Sequence, residues 1–530
     1  MTSGSRPAAV ELELFTNRFA AIAREMGEML RRTAVSTNVK ERLDFSCALL
    51  DPEGGLVVNA PHIPVHLGAL GLCVRRVAAA LPLGPGDVAV TNHPAFGGSH
   101  LPDVTVVTPV FVEEAAGSEV PPLLGYVASR AHHAEIGGIR PGSMPPGARC
   151  LAEEGVVIPP TYLVRGGAAR WEAIEALLSA PPYPSRAVAE NLADLRAAVA
   201  ANRRGAAGLA ALAAAHGRET VGRFMRALED RAAARLAEAL GRLPEGEVRA
   251  LERLDDGSPV AVRIAISRRP SGGHAVLDFA GSGGVHPGNL NAPPAVVRSA
   301  VLYALRLLVA EPLPLNEGFF RPVEIRVPEG LLDPPFPDDP ARAPAVVGGN
   351  VETSQRVVDT LLKALGLAAC SQGTMNNVVF GDGRFGYYET VCGGAGAGPG
   401  WDGAAAVHTH MTNTRITDPE VLEHRYPVRL ERFTIRRGSG GAGRHRGGDG
   451  AVRELTFLEP MSLSLLTQHR VEAPYGVDGG APGATGRQRL VRASGEEVDL
   501  PSIAACEVEP GDRLILETPG GGGWGREDEE

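Results

Sequence analysis

The 66 glycines and 43 prolines of this chain gather in turn-like strings, which implies many fixed loops carried on a mixed α and β scaffold. At 530 residues the chain is too long for one ordinary core, and roughly two to four domains are expected. Phe15, Phe19, Ile22, Met26, Met29 and Leu30 recur mostly at spacings of three and four, which predicts a helix over Leu14–Val35. Ser46–Leu50 and Leu56–Val58 read as a hairpin around the turn Asp51–Gly55. Gly68–Leu81 reads as a helix, and Asp87–Thr91, Thr105–Val112 and Leu123–Ser129 as short apolar strands. Ser185–Leu243 reads as mostly helical, Val248–Ala280 as strands, and Ala295–Ala310 and Thr353–Leu367 as amphipathic helices. Beyond Val428 short strands alternate with Gly-rich turns. The expected fold class is α+β and multidomain. It comprises an N-terminal metal-bearing α/β region (1-200), a helical segment (201-245), a central α/β region (246-427) and a C-terminal β-rich domain (428-530).

Composition excludes several functions. The net charge of −10 argues against nucleic acid, whose binding needs concentrated positive charge. Cys47, Cys73, Cys150, Cys370, Cys392 and Cys506 are scattered without a CxxC pair, so neither a zinc ribbon nor a disulfide framework is indicated. They read as buried or idle thiols. Met1–Glu11 has no apolar signal-peptide core, and no run reaches the ~18 apolar residues of a membrane span. A cytoplasmic location follows as an expectation.

Chemistry gathers in two loops behind apolar strands. The first holds His93, His100 and Asp103; the second holds His132, His133 and Glu135. If their strands pair, both loops emerge on one rim. A His-x-x-Asp step with a distant His gathers three ligands for Zn, Mn or Fe and leaves a position open. Asp44, just ahead of another strand, is a candidate fourth. His132 and His133 are adjacent, so on an extended chain they point opposite ways and only one is a ligand. The other serves as an outer partner or acid–base group. His62, His66 and His93, taken singly, read as polar or structural loop residues.

Other motifs carry less. Gly281-Ser-Gly-Gly284, Gly393-Gly-Ala-Gly396, Gly440-Gly-Ala-Gly443 and Gly520–Gly523 match neither the P-loop nor the dinucleotide fingerprint. They read as tight turns needing positive φ, and the chain presents no nucleotide site of its own. His408 and His410 would share a face if their segment were a strand. Arg436, Arg437, Arg444, His445 and Arg446 form a basic run that reads as a solvated turn or as a contact for a phosphorylated intermediate or acidic partner. Cys47 and Cys392 lie near motifs without a visible base to activate them.

Several strings resemble the hydantoinase B/oxoprolinase family: Lys40-Glu-Arg-Leu-Asp-Phe-Ser-Cys47, Ala60-Pro-His-Ile-Pro-Val-His-Leu-Gly68, Gly97-Gly-Ser-His-Leu-Pro-Asp-Val104 and Arg130-Ala-His-His-Ala-Glu-Ile-Gly-Gly138. Pro141–Pro146, Gly349–Arg356, His408–Arg415 and Ser439–Gly443 fit as well, so the resemblance runs from about Leu14 to Gly525. It implies a divalent metal held by Asp44, His100, Asp103 and His132. His133 remains an alternative, because the stretch Val112–Pro122 is longer than the family's usual one. His133 and Glu135 are the candidate acid–base residues. Glu135 stands where the family often has Asp, and Asn350-Val-Glu352 replaces a commoner Asn-His-Glu.

The resemblance also implies a hetero-oligomer with a hydantoinase A-type ATPase subunit. That partner binds ATP and phosphorylates the oxygen of a small cyclic amide, which this chain then opens as a hydrolase. Two other functions suit the same scaffold: a subunit of an ATP-dependent ketone carboxylase, and a non-catalytic scaffold for the ATPase.

Overall fold

A seven-stranded sheet covered on both faces organises the first part of the chain. The structure, a computed structural model, describes residues 9–59, 63–112, 121–180 and 182–527. The start of the chain, His62, most of the lengthened Val112–Pro122 stretch and the last three residues lie outside these. The strands are β1 (Phe45–Leu50), β2 (Leu56–Asn59), β3 (Val88–Thr91), β4 (Asp103–Phe111), β5 (Leu123–His132), β6 (Thr161–Arg165) and β7 (Ala168–Ala169). They run antiparallel in the order β2-β1-β5-β4-β3-β6-β7. Side chains alternate across a strand, so β1 serves two cores. Cys47 and Leu49 join a core closed by the helices Ala9–Thr33 and Val188–His216. Ala48 and Leu50 join another with Leu70 and Val74 of the helix Pro64–Ala80. Ala9–Thr33 buries Leu12, Phe15, Phe19, Ala23, Met26 and Leu30, the stripe its spacing predicts.

The stretch predicted as mostly helical from Ser185 to Leu243 forms two helices, Val188–His216 and Arg218–Arg242, broken where Gly217 takes φ 83°. Next come β8 (Gly246–Arg253), β9 (Pro259–Arg269), β10 (Gly272–Asp278) and β11 (Val323–Arg326), arranged β11-β10-β9-β8. Val260, Val262, Ile264 and Ile266 alternate along β9 and share a core with the helices Arg218–Arg242, Pro294–Leu307 and Ser354–Leu365.

Two sheets stack face to face toward the C-terminus. One is β13-β12-β16-β19, built from β12 (Asn377–Gly381), β13 (Gly386–Thr390), β16 (Met461–Leu466) and β19 (Ile503–Val508). The other, β14-β15-β20-β17-β18, uses β14 (Val428–Arg436), β15 (Gly450–Phe457), β17 (Arg487–Val491), β18 (Glu497–Asp499) and β20 (Arg513–Glu517). Phe380 and Tyr387 meet Leu455, Phe457, Leu514 and Leu516 between them. The buried pair Arg453–Glu389 bolts the sheets together, its two bonds 2.6 and 2.8 Å long.

The Gly-rich strings work differently from the expectation. Of the four, only Gly281 sits at positive φ, 96°. The other three lie backbone against backbone. Gly441 N donates to Gly521 O at 2.8 Å, Gly521 N to Gly448 O at 2.9 Å and Gly448 N to Ala395 O at 2.8 Å. A Cβ on Gly521 would fall 1.9 Å from Ala395 O. Glycine is required there for close approach and not for its freedom in φ. Gly521→Ala is therefore expected to lower stability by more than about 3 kcal/mol in urea unfolding.

Glu154 joins the N-terminal sheet region to the segment ahead of residue 350. Its buried Oε1 accepts from Val346 N at 2.9 Å and Val347 N at 2.8 Å, while Oε2 has no partner. Burial pushes its pKa from 4.5 up to about 8, against the pull of those two donors. The folded state thus holds this proton more tightly than the unfolded chain. The protonated group's contribution is complete at low pH and is lost as pH rises through the folded value. Glu154→Gln keeps the accepting oxygen and cannot ionise. Thermal unfolding across pH should show the variant gaining on the parent from about pH 4.5 and levelling off above about pH 8.

Candidate metal centre

Strand register assembles the site. In the β4–β5 pair Asp103 stands directly opposite His132. On the other side of β5, Phe45 of β1 stands opposite Ala131, so Asp44 arrives beside His132, whose N–H donates to Asp44 O at 3.0 Å. His100 precedes β4 by one tight turn, closed by Asp103 N to His100 O at 3.1 Å. The rim expected from sequence is present, and it forms because β4 begins where its antiparallel neighbour β5 ends.

The side chains converge on Asp103. His100 Nε2 lies 3.2 Å and His132 Nδ1 3.4 Å from Asp103 Oδ1, and Asp44 Oδ2 is 4.0 Å from His132 Nδ1. Ligand atoms of His100, Asp103 and His132 all lie within 4.8 Å of one another, and all three residues are buried. The carboxylate is used asymmetrically. Ser99 Oγ donates to Oδ2, and His66 Nε2 sits 3.2 Å from the same oxygen. Oδ1 has no hydrogen-bond partner, nor have His100 Nε2 and His132 Nε2. Burial alone would raise the Asp103 pKa, but the imidazoles of His100 and His66 bring it well below the usual carboxylate range. Burial lowers His132 toward the neutral ring, the form that ligates. Buried polar atoms without partners are costly, and a carboxylate oxygen left so, 3.2 Å from His100 Nε2 and 3.4 Å from His132 Nδ1, suits a divalent cation. The donor set therefore fits the metal that the sequence implied. The adjoining cavity of about 20 Å³, bordered by Asp44, His66, His132, Asn350 and Tyr388, has room for a water or an ion.

Several of these residues escaped the sequence reading. His66 looked like an isolated loop histidine, yet it anchors Asp103 and bonds Ser46 through Nδ1 at 3.1 Å. Its signal was its place in the string Ala60–Gly68. Tyr388 stacks on His132 with ring centroids 4.6 Å apart, and the Arg42 guanidinium lies 4.6 Å over Tyr388 and 3.6 Å from Asp44. Nothing local marks Tyr388, which reaches the site from β13.

His133 and Glu135 are directed elsewhere. His133 Nδ1 meets Asn191 Nδ2 at 3.0 Å. Glu135 accepts from Gly137 N at 2.6 Å and Gly142 N at 2.8 Å, and its carboxylate pairs with Arg186 at 3.2 Å. They fasten the loop behind His132. His93 caps a short turn, its Nδ1 accepting from Ala95 N at 3.0 Å. His408 and His410 are not on a strand; His410 turns through φ 56° to Asp359, while burial lowers the pKa of His408 to about 4. Arg436 donates to Thr485 O and Thr518 O, and His445 lies 3.5 Å from Asp402, so these members of the basic run hold turns together. Burial raises the thiols of Cys47 and Cys392, which makes both poor nucleophiles. Among the described residues no helix is long and apolar enough to cross a membrane.

The sequence model described as hydantoinase B/oxoprolinase matches residues 8–527. The 5-oxoprolinase 1 of Arabidopsis thaliana is 46% identical over 97% of this chain and 42% of its own length. The chain thus spans about two fifths of the curated relatives that it matches most strongly. A putative D-/L-hydantoinase subunit of Pseudomonas sp. is 29% identical over 95% of this chain and 88% of its own. Among solved structures, the ATP-dependent caprolactamase from Pseudomonas jessenii superposes with a TM-score of 0.86 at 25% identity, over 98% of this chain and 92% of that one.

Metal analysis of purified variants separates the two sets of residues. His100→Ala and Asp103→Ala should lose the ion bound at this centre. His133→Ala and Glu135→Gln should retain it, with any loss confined to thermal stability.

Proposed function

Because the chain belongs to the hydantoinase B/oxoprolinase family, we propose that it is the metal-dependent component of an ATP-dependent cyclic amide hydrolase. The observation that carries this reading is the buried group Asp44, His100, Asp103 and His132, in which Asp103 Oδ1 has no hydrogen bond and lies 3.2 Å from His100 Nε2 and 3.4 Å from His132 Nδ1. Support comes from the relatives' names, since 5-oxoproline, hydantoin and caprolactam are all cyclic amides.

A divalent cation held by these residues would polarise a carbonyl oxygen or lower the pKa of a water. The protein's own groups prepare that centre. Ser99 and His66 hold Asp103 Oδ2 and so leave Oδ1 free. Tyr388 fixes the plane of the His132 ring, and Arg42 holds Tyr388 in turn. The surrounding apolar side chains Ile63, Val65, Val351 and Met411 exclude bulk water, which strengthens every charge interaction inside.

An unactivated amide resists attack because resonance ties up its carbonyl. In our reading an ATPase phosphorylates that oxygen, making it a leaving group, and this chain receives the activated ring. The longer relatives supply one arrangement, with additional sequence in the same polypeptide. The Pseudomonas relative, close to this chain in length and named as a subunit, favours a separate partner. In either arrangement the ATP site lies outside these 530 residues.

The test is to combine the chain with a hydantoinase A-type ATPase and screen 5-oxoproline, hydantoins, lactams and ketones for substrate-dependent ATP turnover. A cyclic amide should be opened, and His100→Ala should slow this by more than about a hundred-fold. Full metal content and full activity in His100→Ala and Asp103→Ala would overturn the proposal. Turnover that depends on bicarbonate and a ketone would assign the chain to carboxylation instead.

A further inference from the structure

Away from that centre, another trio of buried donors converges. Ligand atoms of Asp359, Cys370 and His469 lie within 4.8 Å of one another. Asp359 is on the helix Ser354–Leu365, Cys370 follows that helix, and His469 follows β16. None is solvent-exposed.

Two of the three have one atom fixed and another free. His469 Nδ1 donates to Glu472 O at 2.5 Å. With the proton there, Nε2 keeps its lone pair and lies 3.6 Å from Cys370 Sγ. A carbonyl on the far nitrogen is the usual means of orienting a ligating imidazole. Asp359 Oδ1 accepts from His410 Nε2 at 2.9 Å and Ser371 N at 3.3 Å, which leaves Oδ2 buried without a partner. Gly373 borders the same space. A Cβ there would lie 2.3 Å from His469 Nε2 and 2.9 Å from Asp359 Oδ2, so its absence leaves room between them.

We propose that Asp359 Oδ2, Cys370 Sγ and His469 Nε2 form a second cation site, suited to zinc. One thiolate, one imidazole and one carboxylate make a donor set that zinc accepts and that magnesium or calcium does not. As placed, Asp359 Oδ2 has no hydrogen-bond partner in the interior, which is costly. Binding replaces the Cys370 S–H bond by an S–Zn bond and releases one proton to solvent. The Arg356 guanidinium approaches His469 from the Nδ1 side at 3.5 Å, and Glu252, 3.9 Å away, offsets its charge. The ion would tie the helix Ser354–Leu365 to the C-terminal sheets. Through His410 it would also steady Met411 and Thr412, which border the first cavity.

Metal analysis and X-ray absorption of the full chain test this. The parent should bind a divalent metal at the first centre and zinc at this one. His100→Ala should keep one equivalent, with a sulfur scatterer at about 2.3 Å. Cys370→Ser should lose that equivalent while His100→Ala keeps it. After cobalt exchange, a thiolate-to-cobalt charge-transfer band should be present in the parent and in His100→Ala and absent in Cys370→Ser. Were the first centre to bind no metal, the parent would hold one equivalent with the same sulfur signature. Zinc without sulfur in the parent and in His100→Ala, or no zinc in either, overturns the proposal, and that reading does not depend on how well Cys370→Ser folds.

Discussion

Antiparallel pairing of β4 with β5 sets Asp103 directly across from His132, and the candidate centre depends on that register. Successive strand residues face opposite sides, so a slip of one residue would bring His133 to the cavity and turn the apolar faces of both strands outward. Both faces of the sheet are buried, by helices on one side and a helix on the other. Such a slip would therefore disrupt two cores at once. The same packing that stabilises the sheet fixes which histidine meets Asp103.

Burying a carboxylate among apolar side chains costs several kcal/mol unless its oxygens are satisfied. The structure meets that cost on one oxygen of Asp103 and leaves the other unbonded beside the imidazoles of His100 and His132. Asp359 repeats the plan with the oxygens exchanged: Oδ1 is bonded, Oδ2 is not. The segment from His408 to Arg415 runs between the two groups, with His410 bonded to Asp359 and Met411, Thr412 and Thr414 bordering the first cavity. Its density of polar residues, conspicuous in the sequence, reflects service to both.

Much of the fold could be read locally. The helix Ala9–Thr33 announces itself by its stripe of Leu, Phe and Met, and β1, β4 and β5 by short apolar runs between glycines and prolines. His100, Asp103, His132 and Asp44 were nameable because loops after paired strands emerge together. Tyr388 was not, because nothing within a few residues of it foretells contact with His132, and His66 was marked only by its place in the string Ala60–Gly68. The glycine strings misled for a related reason. A positive φ and a backbone passing within van der Waals distance select the same residue, and sequence does not separate them.

The sequence by itself determined the residue types, the helical and strand periods and the ordered strings that mark the family, since each is written within a short stretch of chain. Tertiary structure alone decided which histidine faces Asp103, which carboxylate oxygen stays free, and that residues as far apart as Asp359 and His469 share one space. Those outcomes follow from strand register and from the approach of distant backbones, whose energies are set by the packing of the whole molecule.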